Sequence, residues 1–254
     1  MTGLLTRRHM LIGAALAAPP LILAATGHLP SLKQIKRAYL GTGERLSYAV
    51  HSSIGRTALA REYAPEDISP AFRTNGATEA NSPNWMIAQE TNFASWSLKL
   101  DGLFHAPRQF SLPELRAMPV RRQITRHDCV EGWSAIGGWA GVPFGALLKA
   151  VQLKADARYI VFWCGDVFRG WQYYESIDLI DAFHPQTILA YNMSGAPRPI
   201  GHGAPLCLRV ERQLGYKHAK FVERIEAVAS LDGIGQGRGG FWEDVSNYEW
   251  YAGI

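Results

Sequence analysis

Cys129 is the residue of this 254-residue chain whose surroundings are best suited to chemistry. It follows His127 and Asp128, and a further carboxyl group, Glu131, comes two residues later. A deprotonated thiol serves either as a soft metal ligand or as a nucleophile. In the second case His127 would be the base, because the i, i+2 spacing places both side chains on one face of a strand. No third residue that would orient the imidazole stands out, so a thiol hydrolase is an alternative that the sequence leaves open.

The three cysteines, Cys129, Cys164 and Cys207, are widely spaced along the chain. Such spacing excludes a CxxC redox pair and the usual zinc knuckles. In an oxidising compartment two of them can pair as a disulfide, which leaves one over. The odd cysteine therefore needs another use, and metal ligation is one.

Several sequence blocks follow one another in order around Cys129. They comprise residues 96–103, 128–134, 139–143, 189–191, 202–206 and 214–220. In content and order they resemble the sulfite oxidase family of molybdopterin-binding domains over roughly residues 70–230, and a chance match of that many ordered blocks is improbable. The resemblance implies an oxidoreductase with a molybdenum–molybdopterin cofactor and with Cys129 as the thiolate ligand of the metal. The bacterial periplasmic, methionine sulfoxide reductase-type branch is more similar than the eukaryotic enzymes.

The resemblance also implies which side chains hold the cofactor. Asn75 stands where the family places an asparagine on the cofactor, and His202 opens the family's HGxP block. The segment that wraps the phosphate end of the cofactor supplies further cations. The predicted cofactor-binding residues are Asn75, Cys164, His202, Arg209, Lys217, His218 and Lys220.

Two positions depart from the family pattern. Cys207 stands where an arginine commonly reaches the cofactor, and Arg209, two residues later, would face the same side of a strand and replace it. Cys164 takes the place of a threonine that contacts the cofactor in the methionine sulfoxide reductase branch. A thiol is a poorer hydrogen-bonding group than either residue. The sequence therefore predicts looser or rearranged binding at these points, and it leaves a Cys164–Cys207 disulfide open.

Two features bear on the substrate. Sulfite-oxidising members have an arginine directly before the pocket asparagine, whereas this chain has Thr74 there and Arg73 one position earlier, which an extended chain would turn to the opposite face. The sequence therefore disfavours sulfite. Those members also place a tyrosine just before a Ser-Ile pair, where this chain has Tyr173, Tyr174 and Glu175. The two tyrosines are predicted catalytic residues that donate a proton or orient the substrate, and a half-buried aromatic patch is the alternative.

The electrons of such a reaction need a partner. The chain has no CxxCH haem-attachment motif and too few cysteines for an iron–sulfur cluster, so the resemblance implies exchange with a membrane haem protein or a soluble cytochrome. The predicted reaction is a two-electron oxo transfer, with reduction of a small sulfoxide or N-oxide favoured. A sulfite-type dehydrogenase, or a cofactor-binding protein with little turnover, is the alternative. The net charge of +4 is too small to indicate nucleic-acid binding, and a monomer is expected.

The N-terminal residues predict export. Arg7 and Arg8 lie just before an apolar run over residues 10–25. This arrangement looks like a twin-arginine signal, an address that is read by a receptor. Residues 1–26 are therefore a predicted export signal to the periplasm, with an ordinary secretory signal or an uncleaved anchor as the alternatives.

The remaining patterns predict the elements that position these residues. Alternation predicts strands over residues 96–100, 121–126, 205–212 and 221–229, and an apolar run predicts a buried strand over 159–164. Helices are predicted over 144–151 and 177–183, and Ser111 with Glu114 marks another helix start. Because strands and helices interleave without βαβ spacing, we expect an α+β fold with mixed sheets, a single domain of the sulfite oxidase type. Its predicted parts are an N-terminal wrap over 27–70, the cofactor domain over 71–230 and a capping segment over 231–254.

Overall fold

The computed structural model of the protein describes residues 31–54, 57–168 and 170–254. The predicted export signal lies outside these residues. The chain divides into two compact units, residues 1–53 and 54–254. The described part of the first unit is one continuous helix, α1 (Leu32–Ile54), where the sequence predicted short helical segments and loops. Among the described helices, none combines the length and apolarity that crossing a membrane requires.

Ten strands and five further helices follow within the described part of residues 57–254. The strands are β1 (Ser97–Gly102), β2 (Arg108–Ser111), β3 (Arg121–Asp128), β4 (Ser134–Pro143), β5 (Tyr159–Phe168), β6 (Trp171–Asp178), β7 (Ile188–Met193), β8 (Ala196–Pro197), β9 (Cys207–Arg209) and β10 (Val222–Val228). The helices are α2 (Pro83–Glu90), α3 (Leu112–Ala117), α4 (Phe144–Val151), α5 (Leu179–Ala182) and α6 (Phe241–Ser246).

The strands form two five-stranded sheets within the described residues. The first has the order β2-β1-β10-β5-β6, in which β1 and β10 are parallel and the other neighbours antiparallel. The second has the order β3-β4-β7-β8, with β9 also paired to β7, and is antiparallel. A mixed sheet, an antiparallel sheet and short scattered helices confirm the predicted α+β class.

Several predicted elements agree with the structure. The strand predicted over residues 205–212 is limited to β9 (Cys207–Arg209), and β2, β6, β7 and β8 were not predicted. Helix α4 has the predicted bounds, and α3 begins at Leu112 after its N-cap Ser111, which forms a capping box with Glu114. The helix predicted over 177–183 is shorter, because Ile177 is fully buried and pairs with Ile160 at the end of β6. Strand β4 was not predicted, since its glycines hide the alternation that marks a strand.

The two sheets share one hydrophobic core. Phe162 and Ile225 enter it from the first sheet, whereas Leu189 and Leu208 enter it from the second. All four side chains are fully buried, and burial of an apolar side chain of this size stabilises the fold by about 1.5–3 kcal/mol. This common core fixes the strand ends that carry the candidate site.

Gly141 allows β4 and β7 to approach closely. A Cβ at Gly141 would lie 2.0 Å from the carbonyl oxygen of Leu189 and 2.6 Å from Cα of Ala190. We therefore expect Gly141→Ala to lower the free energy of unfolding by about 1–3 kcal/mol, as overpacking does. Urea denaturation measures this, with Gly233→Ala as the control because nothing lies within 4 Å of a Cβ there. Equal stability of the two variants would contradict the strand packing described.

Candidate active site

A loop between β3 and β4 holds Cys129. The two strands pair in register as far as Asp128 and Ser134. The N–H of Cys129 donates to the carbonyl of Trp133 (2.9 Å), and the N–H of Gly132 donates to the carbonyl of Cys129 (3.0 Å). Gly132 has a φ of 84°, which glycine adopts without strain. The loop therefore holds the thiol at a defined position at the end of a hairpin.

The sulfur of Cys129 accepts two N–H groups. Asn75 Nδ2 donates to it at 2.8 Å, and the backbone N–H of Glu131 lies at 3.5 Å. Burial raises the pKa of the Cys129 thiol, so a bound metal ion would be needed to keep it deprotonated at neutral pH. Donors aimed at the sulfur suit a thiolate ligand.

Lys220 fixes the segment that carries Asn75. Its ammonium group donates to the carbonyls of Asn75 (2.6 Å), Gly201 (3.0 Å) and Ala77. Burial lowers the pKa of Lys220 to about 8. Because three backbone carbonyls accept its three N–H donors, Lys220 links two loops and has no donor left for a ligand.

A cavity of about 470 Å³ lies beside the Cys129 loop. Its wall includes His127 and Glu131, the near neighbours of Cys129. Six predicted site residues also line it: Asn75, Tyr173, His202, Arg209, His218 and Lys220. The structure therefore brings these side chains and the Cys129 loop together from distant parts of the chain.

Arg209 is a cation whose charge is already balanced. Its Nε and Nη2 donate to the carboxylate of Glu211 at 3.0 and 2.6 Å, and its Nη1 lies 3.0 Å from Nδ1 of His127. The guanidinium also lies 4.0 Å from the centroid of the Trp139 ring. Cys207 and Arg209 both line the cavity, as alternation along β9 requires.

Arg198, by contrast, keeps a free donor in the same wall. Its Nε donates to the carbonyl of His202 (2.5 Å), but its Nη1 is buried without a hydrogen-bond partner among the described residues. No carboxylate in the described ranges forms a salt bridge with it, although the residue is only 8% exposed. A buried unpaired donor costs about 1–3 kcal/mol and more when charged. Such a group fits an anionic ligand.

His218 presents an acceptor to the cavity. Its Nε2 lies 3.0 Å from the carbonyl oxygen of Gln213, and since that oxygen only accepts, Nε2 carries the proton. Burial, with the positive charge of Arg209, lowers the pKa of His218 well below its ordinary value, so the ring is neutral. Its Nδ1 is buried and has no partner in the described part of the chain. A ligand with an N–H donor would satisfy it.

The site thus has the donor set that a metal–pterin cofactor needs. The loop beside the cavity offers a thiol with two donors, and the cavity wall offers an unpaired guanidinium N–H and an unpaired imidazole acceptor. A cofactor with a phosphate, ring N–H groups and a metal matches all three. No group of three His, Cys, Asp or Glu side chains among the described residues could hold a metal ion, so the protein would supply the Cys129 thiolate and the cofactor would supply further ligands.

Cys129 is not itself among the residues that line the cavity, although its neighbours Val130 and Glu131 are. Three further predicted site residues do not line the cavity either. Cys164 is fully buried in the hydrophobic core, and all three cysteines of the chain are free thiols. Tyr174 points to the other face of β6 from Tyr173 and donates to Asp244 (2.5 Å). Lys217 is fully buried, where it forms salt bridges. The family motif placed these residues in the pocket, but strand alternation and contacts distant in sequence direct their side chains elsewhere.

Aromatic residues of the C-terminal segment complete the wall. Phe241 and Trp242 from α6, together with Tyr248, line the cavity. Phe241 stacks on the ring of Tyr173 at 5.3 Å between centroids. Phe168, at the end of β5, also lines it and is 47% exposed. An aromatic surface therefore continues from the cavity to the solvent.

Arg73 also lines the cavity. Its guanidinium carbon lies 6.0 Å from the centroid of the Trp133 ring. The expectation that Arg73 would turn away from the pocket was wrong, because residues 73 and 75 share a face of the extended segment. A cation is therefore present close to Asn75.

The geometry does not support the thiol hydrolase alternative. The hydrogen bonds described at the Cys129 sulfur come from Asn75 and Glu131, not from His127. Burial, with the positive charge of Arg209, lowers the pKa of His127 to about 3, so the imidazole is a weak base. A nucleophilic cysteine needs a base in contact with it.

Arg198 is the site residue that sequence reasoning missed. It follows a tight turn in which Ser194 and Gly195 both have positive φ, 48° and 85°, and this turn joins β7 to β8. The Ser-Gly pair between apolar residues was a usable signal for this hairpin. The hairpin returns the chain so that Arg198 follows β8 into the wall.

Comparison with known proteins gives a consistent result. Residues 85–232 match the model of the "Oxidoreductase molybdopterin binding domain" family. The chain is 41% identical, over 165 residues, to "Putative protein-methionine-sulfoxide reductase subunit YedZ1" of Azospira oryzae, covering 65% of this chain and 58% of that protein. It is 32% identical, over 190 residues, to protein-methionine-sulfoxide reductase catalytic subunit MsrP of Xanthomonas campestris, covering 70% of this chain and 57% of that protein. This chain thus spans less than two thirds of the length of these relatives.

A solved structure is also similar in part. The sulfane dehydrogenase SoxCD of Paracoccus pantotrophus aligns with 54% of this chain and 39% of its own, at 18% identity and a TM-score of 0.49.

Proposed function

Because the chain belongs to the oxidoreductase molybdopterin-binding family, whose cofactor is molybdenum–molybdopterin, we propose that it reduces the sulfoxide of oxidised methionine. The observation that supports this most directly is the Cys129 sulfur, with its two N–H donors, beside a cavity that presents unpaired groups of Arg198 and His218. These residues would hold the cofactor. When bound, the cofactor supplies two-electron oxo-transfer chemistry.

Oxidised methionine suits both the relatives and the cavity. Two relatives carry the name protein-methionine-sulfoxide reductase. Methionine is a long, unbranched side chain whose sulfur makes favourable contacts with aromatic rings. The exposed Phe168, in contact with Phe241 and Trp242, offers such rings in the cavity wall.

Export and the electron partner are parts of the same proposal. The arginine pair at residues 7 and 8 supports transport of the folded, cofactor-loaded protein to the periplasm. Because the chain has no CxxCH motif, a membrane haem protein or a soluble cytochrome would deliver the electrons. The protein would reduce its substrate as a monomer.

An assay on molybdenum-loaded protein tests the proposed activity. Reduced benzyl viologen serves as the electron donor, and a peptide that contains methionine sulfoxide serves as the acceptor. We expect sulfoxide-dependent oxidation of the dye and formation of methionine. A fully loaded protein that turns over no sulfoxide would refute the proposal and favour a cofactor-binding protein with little turnover.

Sulfite oxidation is the second candidate, because Arg73 lines the cavity close to Asn75. A guanidinium pairs well with a small oxyanion. Reduction of ferricyanide that depends on sulfite, without turnover of the sulfoxide peptide, would favour this candidate over the first.

A further inference from the structure

A buried cluster of charged side chains lies directly behind the cavity wall. Glu175 on β6 and Glu243 on α6 both contact Lys217, whose Nζ lies 2.7 Å from Oε2 of Glu175 and 2.6 Å from Oε1 of Glu243. All three side chains are at most 1% exposed. The charged and titratable groups around Glu175 are Lys217, Glu243, Tyr173 on its own strand and Cys164 on β5, with Tyr174 on the opposite face of β6.

The charges of this cluster do not balance unless one carboxyl group keeps a proton. Oε2 of Glu243 is buried without a hydrogen-bond partner in the described structure, and Oε2 of Glu175 has the Lys217 ammonium beside it. These two oxygens lie on the same side of Gly240. A Cβ at Gly240 would lie 2.5 Å from Oε2 of Glu175 and 2.1 Å from Oε2 of Glu243. Two carboxyl groups that share a buried site cannot both ionise at low cost. One proton between these oxygens would remove the repulsion and satisfy both.

The titration behaviour of the groups agrees with this geometry. Burial, with the negative charge of Glu243, raises the pKa of Glu175 well above its ordinary value. Burial alone would lower the pKa of Lys217, but the two carboxyl groups raise it, so the ammonium stays charged. The cluster therefore holds one ammonium, one carboxylate and one neutral carboxyl group at neutral pH.

Tyr173 connects this cluster with the cavity. Its hydroxyl lies 3.3 Å from Oε1 of Glu175 and donates to the carbonyl of Tyr216 at 3.0 Å. Tyr173 and Tyr216 both line the cavity. Burial, with the charge of Glu175, raises the pKa of Tyr173 well above its ordinary value, so the phenol stays neutral. The Tyr173 phenol can therefore donate its proton only if it accepts another proton at the same time.

We propose that the Glu175–Glu243 pair stores a proton and delivers it through the Tyr173 hydroxyl to the oxygen that leaves the substrate. This rests on the proposed function, in which a sulfoxide, two electrons and two protons give a thioether and water. The haem partner, or a viologen dye, supplies the electrons. Tyr173 donates its O–H proton to the departing oxygen as it accepts a proton from the Glu175 carboxyl group, and solvent supplies the second proton of the water. Solvent protonates the pair again after the water leaves.

Infrared spectra and steady-state kinetics of the molybdenum-loaded protein test the proposal together. We expect a carbonyl band of a protonated carboxyl group that shifts in D₂O. Glu175→Gln and Glu243→Gln should each remove it, because each leaves one carboxylate balanced by Lys217. Tyr173→Phe should keep the band. Glu223→Gln, the same change on a half-buried side chain that accepts from Ser82, should keep both the band and the rate.

The kinetic arm uses the sulfoxide peptide with reduced benzyl viologen. We expect Glu175→Gln and Tyr173→Phe to lower kcat by about a hundredfold, the lower end of what proton transfer contributes, with KM and molybdenum content unchanged. In the unmodified protein kcat should fall as the pH rises through the raised pKa of the pair, and Glu175→Gln should lose this fall.

The outcomes distinguish failure of the proton-delivery proposal from failure of the proposed sulfoxide reduction. An active protein without the band, or with a band that persists in both glutamine variants, overturns the stored proton. An unchanged kcat in Glu175→Gln overturns its delivery. Loss of rate together with loss of molybdenum would mean that the cluster only supports the cofactor. Inactivity of the unmodified, loaded protein toward sulfoxides would refute the proposed function itself.

Discussion

Cys129→Ser is expected to abolish sulfoxide turnover and to release molybdenum. A serine hydroxyl is a harder ligand than a thiolate and is not deprotonated at neutral pH. Since the described residues offer no group of three metal-binding side chains, no other protein ligand replaces the lost one. Mutation even of residues behind a metal ligand typically costs about 10–100-fold in affinity or activity, so loss of the ligand itself should exceed this.

Elemental analysis of the exported protein measures the effect independently of activity. Cys207→Ser is the matched control, because Cys207 lines the same cavity and is 1% exposed, but its sulfur contacts the carbonyls of Leu208 and His218. It should retain molybdenum. Equal metal content in both variants would refute the assignment of Cys129.

Asn75 is expected to support the same ligand. Its amide donates to the Cys129 sulfur at 2.8 Å, and a donor of this kind stabilises a thiolate by about 1.5–3 kcal/mol. Asn75→Leu should therefore weaken molybdenum retention less than Cys129→Ser does. Unchanged molybdenum retention in Asn75→Leu would show that the Asn75 contact does not stabilise the thiolate ligand.

The part of the site nearest to Cys129 could be predicted from the sequence, because it depends on neighbours along the chain. The alternation over residues 121–126 predicted β3, which continues to Asp128 and delivers Cys129 to its loop. Arg209 could be placed by the same rule from its distance to Cys207 along β9. Strand periodicity therefore sufficed for Cys129 and Arg209.

The rest of the site depends on contacts between distant segments. Lys217 resembled a cofactor cation, but Glu175 and Glu243, 42 positions before it and 26 after it, enclose its ammonium. Nothing in the local pattern shows that two carboxyl groups meet there. Arg198 was missed because its position depends on the β7–β8 hairpin and on its approach to the carbonyl of His202.

Arg209→Met is expected to lower the free energy of unfolding by about 3–5 kcal/mol, because it leaves the carboxylate of Glu211 buried without its cation. Glu211 is fully buried and accepts two N–H groups of Arg209. Arg198→Met should not lower the free energy of unfolding. It removes a buried charge that no described carboxylate balances, so the cofactor-free protein should be equally stable or slightly more stable.

The two variants should differ in the property that they change. Arg209→Met should mainly lower the free energy of unfolding, and Arg198→Met should mainly lower cofactor retention. Arg198 has the free N–H, and a hydrogen bond to a charged group contributes about 1.5–3 kcal/mol, so Arg198→Met should lower retention by about tenfold or more. Urea denaturation of cofactor-free protein and molybdenum analysis of exported protein measure the two quantities separately. A loss of stability in Arg198→Met equal to that in Arg209→Met would mean that Arg198 also serves the fold. A stable protein that no longer holds its cofactor would instead identify Arg198 as the cation that the fold leaves unpaired for the ligand.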